Sequence, residues 1–268
     1  MALPGLLTAC QKSDDHPPFA EPCSLNCAVV PPISVGGGGA GAPSTIPGSD
    51  AGPGTLTGEV VLLADESFVT VSPFTERATV TADGASGSPV SADWDGATPY
   101  LLEGVARVAT NWVRIEPEHL GREPLLTYQA VATERVAEVN VGLVSSVTLD
   151  SIFNAVSRLR SPDSGQVILF FRSAGTGVPI AGLHVTMPQA QEGIYAGPKG
   201  WLLDDGTAVT DKSGLVLFGN VEPANSGGTQ TVLVTRAAAG SMPATALGQF
   251  PVKVVQTAVS IAKVDVQL

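Results

Sequence analysis

Histidine, cysteine, carboxylate and tryptophan are the side chains from which a site would be built in this chain. Their spacing decides what each can do. There are three histidines: His16 near the N-terminus, His119 in the polar run 116–122, and His184 just after Gly182. No two have the spacing of a ligand pair or of a base beside a nucleophile. No Gly-x-Ser-x-Gly elbow, phosphate loop or dinucleotide fingerprint occurs. No catalytic residue is expected. Asp93 with Asp95, and Asp204-Asp205 with Asp211, offer carboxylates that calcium could use. Their run does not follow an EF-hand loop, and turn capping accounts for aspartates beside glycines. No spacing selects a carboxylate pair for glycoside hydrolysis. Trp94, Trp112 and Trp201 would form a carbohydrate platform if exposed together, and core if not.

All three cysteines precede residue 28. Cys23 and Cys27 enclose a short loop that permits a local disulfide in an oxidising compartment. A metal there would need two more ligands, and only His16 is near, so neither a metal nor a cofactor is expected.

The elements that would hold these residues are suggested by composition. The chain has 268 residues, 44% hydrophobic and 15% charged, with 30 glycines, 21 prolines and five lysines. Few lysines and many turn formers favour short strands over helices. The net charge of -11 opposes nucleic-acid phosphates, and no basic cluster offsets it, so a nucleic-acid partner is not expected. No run of eighteen apolar residues occurs.

The first ten residues are apolar and end Leu7-Thr8-Ala9-Cys10. This resembles the lipobox of bacterial lipoproteins. The resemblance implies cleavage after Ala9 and lipid on Cys10, with Gln11 directing the product to an outer membrane or cell surface. No basic residue precedes the apolar run, which is shorter than an ordinary signal core; a start further upstream would explain both. From Ala28 to Gly54, eight glycines and five prolines fill 13 of 27 positions, including Gly36-Gly37-Gly38-Gly39. Too few apolar side chains remain to offset the entropy of ordering. Residues 1–10 thus read as a signal and lipobox remnant, and 11–54 as a disordered Gly/Pro-rich tether.

Apolar alternation begins at residue 55. Strands are expected at 57–63, 78–82, 89–94, 100–105, 111–116, 126–133 and 137–144, parted by turns such as Asp83-Gly84 and Asp95-Gly96. A second series is expected at 165–171, 183–187, 194–196, 201–203, 208–210, 215–218, 231–235, 252–256 and 258–267. Between them Leu149, Ile152, Phe153, Val156 and Leu159 follow one helical face, with Asp150 or Ser151 as cap and Ser161-Pro162 as stop. The apolar face needs cover, so the helix should pack. The fold class is all-β: two tandem Greek-key, prealbumin-like β-sandwiches at 55–148 and 163–268, with one short helix at 149–162.

Three segments carry a further resemblance: Gly177-Val178-Pro179-Ile180-Ala181-Gly182-Leu183-His184-Val185, Thr210-Asp211-Lys212-Ser213-Gly214-Leu215-Val216-Leu217-Phe218 and Val221-Glu222-Pro223. They resemble the carboxypeptidase-regulatory-like family, related to Cna B-type surface repeats. The resemblance covers roughly residues 165 to 235. It implies a bend at Pro179 and Gly182, a cap from Asp211 and a positive φ at Gly214. Some Cna B-type domains carry a Lys–Asn isopeptide bond; the first strand of each series here lacks lysine, so none is implied. The first series holds a fainter copy: Gly58-Glu59-Val60 parallels Gly165-Gln166-Val167, and the strand Tyr100 to Val105 parallels the one ending Gly219-Asn220-Val221.

These readings point to a non-enzymatic exported surface lipoprotein, anchored in a membrane by lipid, presenting sandwiches for adhesion or structure to a protein or polysaccharide partner. Two other classes stand beside it: a carbohydrate-binding accessory module, and a hydrolase with a carboxylate pair. Fold alone does not choose among them.

Overall fold

The computed structural model describes residues 52–268, apart from 109, 120–123, 134–135, 224–227 and 239–242. The lipobox with Cys10, the Cys23–Cys27 pair and most of the Gly/Pro-rich stretch lie outside the described residues.

The first half opens with β1 (Gly54–Gly58) and β2 (Val60–Leu63), which belong to different sheets. The break falls at Gly58, where a Cβ would sit 2.1 Å from the Val139 carbonyl oxygen; only glycine lets the chain pass so close. Then follow β3 (Val71–Pro73), β4 (Ala78–Ala82), β5 (Val90–Trp94), β6 (Tyr100–Val105), β7 (Asn111–Pro117), β8 (Thr127–Val131), β9 (Val136–Glu138) and β10 (Val141–Val144). β1 lies between antiparallel β6 and parallel β9, while β2 lies between parallel β10 and antiparallel β3. Across from them run β5, β4, β7 and β8 in that order. Alternation explains the core between the layers: Val80, Leu102, Val113 and Ile115 point inward with Leu56 and Val141, all buried.

One helix follows, α1 (Ser146–Ala155). It starts a turn earlier than the apolar spacing suggests. Ser145, extended at φ -69° and ψ 133°, is the cap, and its Oγ accepts from the Thr148 N–H at 3.4 Å. Asp150 and Ser151 are therefore helical residues and not caps. The helix also stops sooner: Ser157 takes φ +56°, and Arg158 N–H donates to the Phe153 carbonyl at 2.9 Å, closing the last turn. Leu159 consequently leaves the apolar face and is exposed.

The second half contains β11 (Gly165–Ser173), β12 (Leu183–Thr186), β13 (Glu192–Gly197), β14 (Gly200–Leu203), β15 (Leu215–Val221), β16 (Thr229–Arg236), β17 (Thr245–Lys253) and β18 (Val259–Val266). β12, β16 and β17 form one layer, packed on the layer β14-β13-β15-β11-β18. β11 is apolar without a break from Val167 to Phe171 because both its faces are covered. Val167, Leu169 and Phe171 face the β12-β16-β17 layer, and Ile168 and Phe170 face α1.

The described residues thus form an all-β fold with two sandwiches and one helix, and the halves are joined by hydrogen bonding as well as by chain. β18 pairs in parallel with β8 at Val259↔Thr127, Ser260↔Tyr128 and Ile261↔Gln129, which completes a nine-stranded sheet. A shared core sits behind that joint. It brings Val61, Leu63, Phe68 and Val144 of the first half against Leu149, Ile152 and Phe153 of α1 and Ile168, Leu217 and Ile261 of the second.

The two halves repeat one pattern of pairing. In each, the opening strand lies between an antiparallel strand and a parallel strand late in the half: β6-β1-β9 and β15-β11-β18. β6 therefore corresponds to β15, the equivalence suggested by their sequences.

Local turns follow the side chains expected to make them. Asp211 Oδ1 accepts from Ser213 N–H at 2.8 Å, and Gly214 has φ +67° with room for no Cβ beside the Phe171 carbonyl. Several strand expectations change. The expected strands 57–63 and 137–144 each divide in two, and 252–256 overlaps only the end of β17, most of which was not expected. Residues 208–210 form no strand, since Thr210 bonds to the chain around Leu183: its Oγ1 accepts from Leu183 N–H and donates to the Ile180 carbonyl. β3, too short to show alternation, was not expected from the sequence.

Candidate functional site

A groove of about 190 Å³ opens where the β13–β14 hairpin meets the loop between β2 and β3. Its lining is largely apolar: Val69, Phe170, Pro179, Ala196, Trp201 and Leu215. The ionisable residues in the lining are Glu66 and Asp211, both carboxylates.

The loop wall is built from local hydrogen bonds. Asp65 Oδ1 accepts from Ser67 N–H at 3.1 Å and from Ser67 Oγ at 2.8 Å. Partial burial opposes ionisation of Asp65. Hydrogen bonds from the Thr70 and Ser67 side chains and the Val69 and Thr70 backbone outweigh it, holding the carboxyl below its ordinary value. The turn drives Phe68 inward at φ +53°, fully buried and edge-on to Trp201 with ring centroids 6.4 Å apart. Trp201 Nε1 donates to Glu66 Oε2 at 3.2 Å, and Ser151 Oγ of α1 donates to Glu66 Oε1 at 2.5 Å.

The strand wall is an edge. β14 is the last strand of the nine-stranded sheet. Asp204 N–H donates inward to the Gly193 carbonyl at 2.7 Å, so alternation turns the backbone of Leu202 toward β13 and that of Trp201 and Leu203 outward.

The three tryptophans are not assembled into one platform. Trp94 is buried in the first core with Nε1 donating to the Phe74 carbonyl at 2.9 Å. Trp112 packs against the core of the second sandwich, and Trp201 against the shared core. Each indole is used where its own strand turns it, toward a different apolar layer. Only Trp201 reaches the groove, and the sequence gives no sign of its neighbour Glu66, 135 residues away.

The remaining candidates are held by structure. His184 Nδ1 lies 3.0 Å from the Ala208 carbonyl, and His119 is exposed. Asp205 accepts from Thr207, whose side-chain and then backbone bonds lower its pKa. A second, wider concavity of about 480 Å³ gathers Arg77, Asp93, Asp95 and Glu118. Within it Asp95 accepts from Thr98 and Ala97 backbone N–H groups at 2.7 and 2.9 Å, and these bonds hold its pKa down. A glycosidase acid needs the opposite shift. Among the described residues no three His, Cys, Asp or Glu side chains converge as metal ligands, and no helix is long and apolar enough to cross a membrane.

No family model matches the chain, and no curated protein does. Solved structures align over most of it at low similarity. The Bacillus anthracis TIE protein aligns at 12% identity and a TM-score of 0.22 over 81% of this chain, which spans only 34% of that one. The D295N mutant of the shaft pilin spaA from Lactobacillus rhamnosus GG aligns at 8% identity and a TM-score of 0.24, over 80% of this chain and 98% of that one. GBS52, the minor pilin of Streptococcus agalactiae, aligns at 8% identity and a TM-score of 0.24, over 80% and 95% of the two chains. The fold is defined by the chain's own strand order.

Proposed function

We propose that this chain is a non-enzymatic, exported surface lipoprotein that holds a joined pair of β-sandwiches away from a membrane for structural or adhesive contact. The observation that carries this reading is the β8–β18 ladder with the shared core behind it. It makes two sandwiches one packed unit, suited to transmitting a contact and not to closing around a substrate. Leu7-Thr8-Ala9-Cys10 supports the lipid anchor, and the stretch from Ala28 to Gly54 supports a tether of Gly-rich reach. Stable anchoring needs more than one acyl chain, which a lipidated, diacylated Cys10 would supply.

The carbohydrate reading loses its platform, because Trp94 is buried and the three indoles serve different cores. The hydrolase reading is not favoured at Asp95, whose carboxyl is held below its ordinary value by hydrogen bonds, opposite to what a glycosidase acid needs.

Expression of the full-length gene, followed by fractionation and mass analysis of the N-terminus, tests the proposal. Membrane partition with a modified Cys10, abolished by Cys10→Ala, is the expected result. Wild-type protein that is already soluble with an intact Met1 overturns the lipoprotein reading.

A further inference from the structure

We propose that the β14 edge and its groove bind an extended, basic peptide segment with alternating aliphatic side chains, added as a tenth strand to the nine-stranded sheet. The inference rests on the presenting role proposed above and names the class of partner.

Three observations converge. The first is an edge without sequence-level blunting, flanked by α1 on the face that carries Trp201. Sheet edges are ordinarily blunted by proline, lysine, bulges or cover. β14 reads Gly200-Trp201-Leu202-Leu203, with no proline, no charge and no register shift against β13. Leu202 is 54% exposed on it. The outward backbone groups of Trp201 and Leu203 are the donors and acceptors that an added strand pairs with.

The second is a pocket in register with that edge. A strand added to β14 places alternate side chains on the face that carries Trp201, which is the face of the groove. The floor of Phe170, Ala196 and Leu215 offers such a side chain only apolar contacts. A volume of about 190 Å³ suits one or two aliphatic side chains and not a folded surface.

The third is charge. Both ionisable lining residues, Glu66 and Asp211, are acidic, and Asp204 and Asp205 follow directly on β14. Lys199 and Lys212 sit in adjacent turns, outside the lining. A lysine or arginine flanking the aliphatic residue meets carboxylates there, which aids encounter and selects against acidic segments. The same sign disfavours a second copy of this chain, whose net charge is -11.

Fluorescence polarisation with the full chain tests the assignment. The probe is a labelled heptapeptide of alternating valine and lysine. Saturable binding is expected. It should fall at least tenfold when alternate peptide nitrogens are methylated, or when glutamate replaces lysine. Asp211→Asn, which keeps an acceptor for Ser213, should weaken it several-fold at low salt and little at high salt. Leu203→Pro removes an outward N–H while leaving the ladder to β13, and should abolish binding with the melting transition retained.

Equal binding of the methylated or the glutamate peptide overturns the proposal, and these two measurements do not depend on any variant folding. Reversible dimers in sedimentation, dispersed by Leu203→Pro, place a second copy at the edge and overturn it as well. Because binding is read in solution, failure of lipidation sinks the anchor alone and leaves this result standing.

Discussion

Trp201 and Glu66 are joined by a 3.2 Å hydrogen bond across 135 residues of sequence, and through it three elements meet. Glu66 belongs to the loop between β2 and β3, Trp201 to β14, and Ser151, the second donor to Glu66, to α1. Replacement of Glu66 by alanine removes both acceptors at an exposed site. A loss of about 0.5–1.5 kcal/mol is expected for exchange of such bonds with water. The measurement is a melting curve with tryptophan emission followed in parallel. An unchanged melting temperature and emission would show that the tie is not formed in solution.

Phe153 and Gly219 occupy adjoining space in the shared core. Phe153 is 1% exposed, and a Cβ on Gly219 would fall 2.5 Å from its Cζ. Phe153→Ala should cost about 3–5 kcal/mol through lost burial and a cavity. Gly219→Ala alone should cost about 1–3 kcal/mol by overpacking. Together the two should cost less than their sum, because the small side chain removes the clash. Strict additivity in denaturant unfolding would mean that the ring does not sit over Gly219.

The β8–β18 ladder predicts how the halves unfold. Ile261 pairs with Gln129 across the joint and with Ile168 of β11, and its side chain lies in the core shared with α1. Both halves should melt in one calorimetric transition, and Ile261→Ala should lower it as a whole by about 2–5 kcal/mol. Two transitions, of which Ile261→Ala shifts only one, would refute the coupling.

Ser260 gives a test of opposite sign. Its Oγ is buried and finds no partner among the described residues, on a strand that pairs on both sides. A buried hydroxyl without a bond forgoes the hydration it had in the unfolded chain. Ser260→Ala should therefore be neutral or raise the melting temperature. A marked fall would mean that an ordered water or an unseen acceptor holds the hydroxyl.

Much of this architecture is visible in local pattern. β4 and β6 coincide with their expected ranges because clean alternation marks a strand with one face buried. β11 is equally visible as an unbroken apolar run, and the turn at Asp211 to Gly214 is set by side chains within four residues. The helix ends were misplaced because a cap is a backbone state, and Ser145 adopts it directly off β10. The groove was hidden for another reason. Its walls come from the β2–β3 loop, β13, β14 and β15, whose neighbourhood is created by the ladder between β8 and β18 and by the packing of α1. No periodicity records such pairing, and the three tryptophans therefore looked like one set while serving three cores.

Glu192 supplies a pH test at the exit of α1. It opens β13, and its Oε2 is buried and finds no hydrogen-bond partner among the described residues. Desolvation raises its pKa; the Asn220 side chain and the Arg158 charge oppose that shift without cancelling it. Asn220 itself is committed to the loop after the helix, accepting from Ser161 N–H at 2.6 Å and donating to the Leu159 carbonyl at 3.0 Å. A carboxyl with a folded pKa above its unfolded one binds its proton more tightly in the native state. Its contribution to stability is therefore most favourable below the unfolded pKa and declines as pH rises through the folded one. Glu192→Gln removes that decline while keeping the shape. The variant should melt higher than wild type at neutral pH, and the gap should close as pH falls below the ordinary carboxylate range. Denaturant unfolding at a series of pH values measures it. A variant less stable than wild type at neutral pH would show that Arg158 outweighs desolvation, so that Glu192 is a stabilising ion-pair partner.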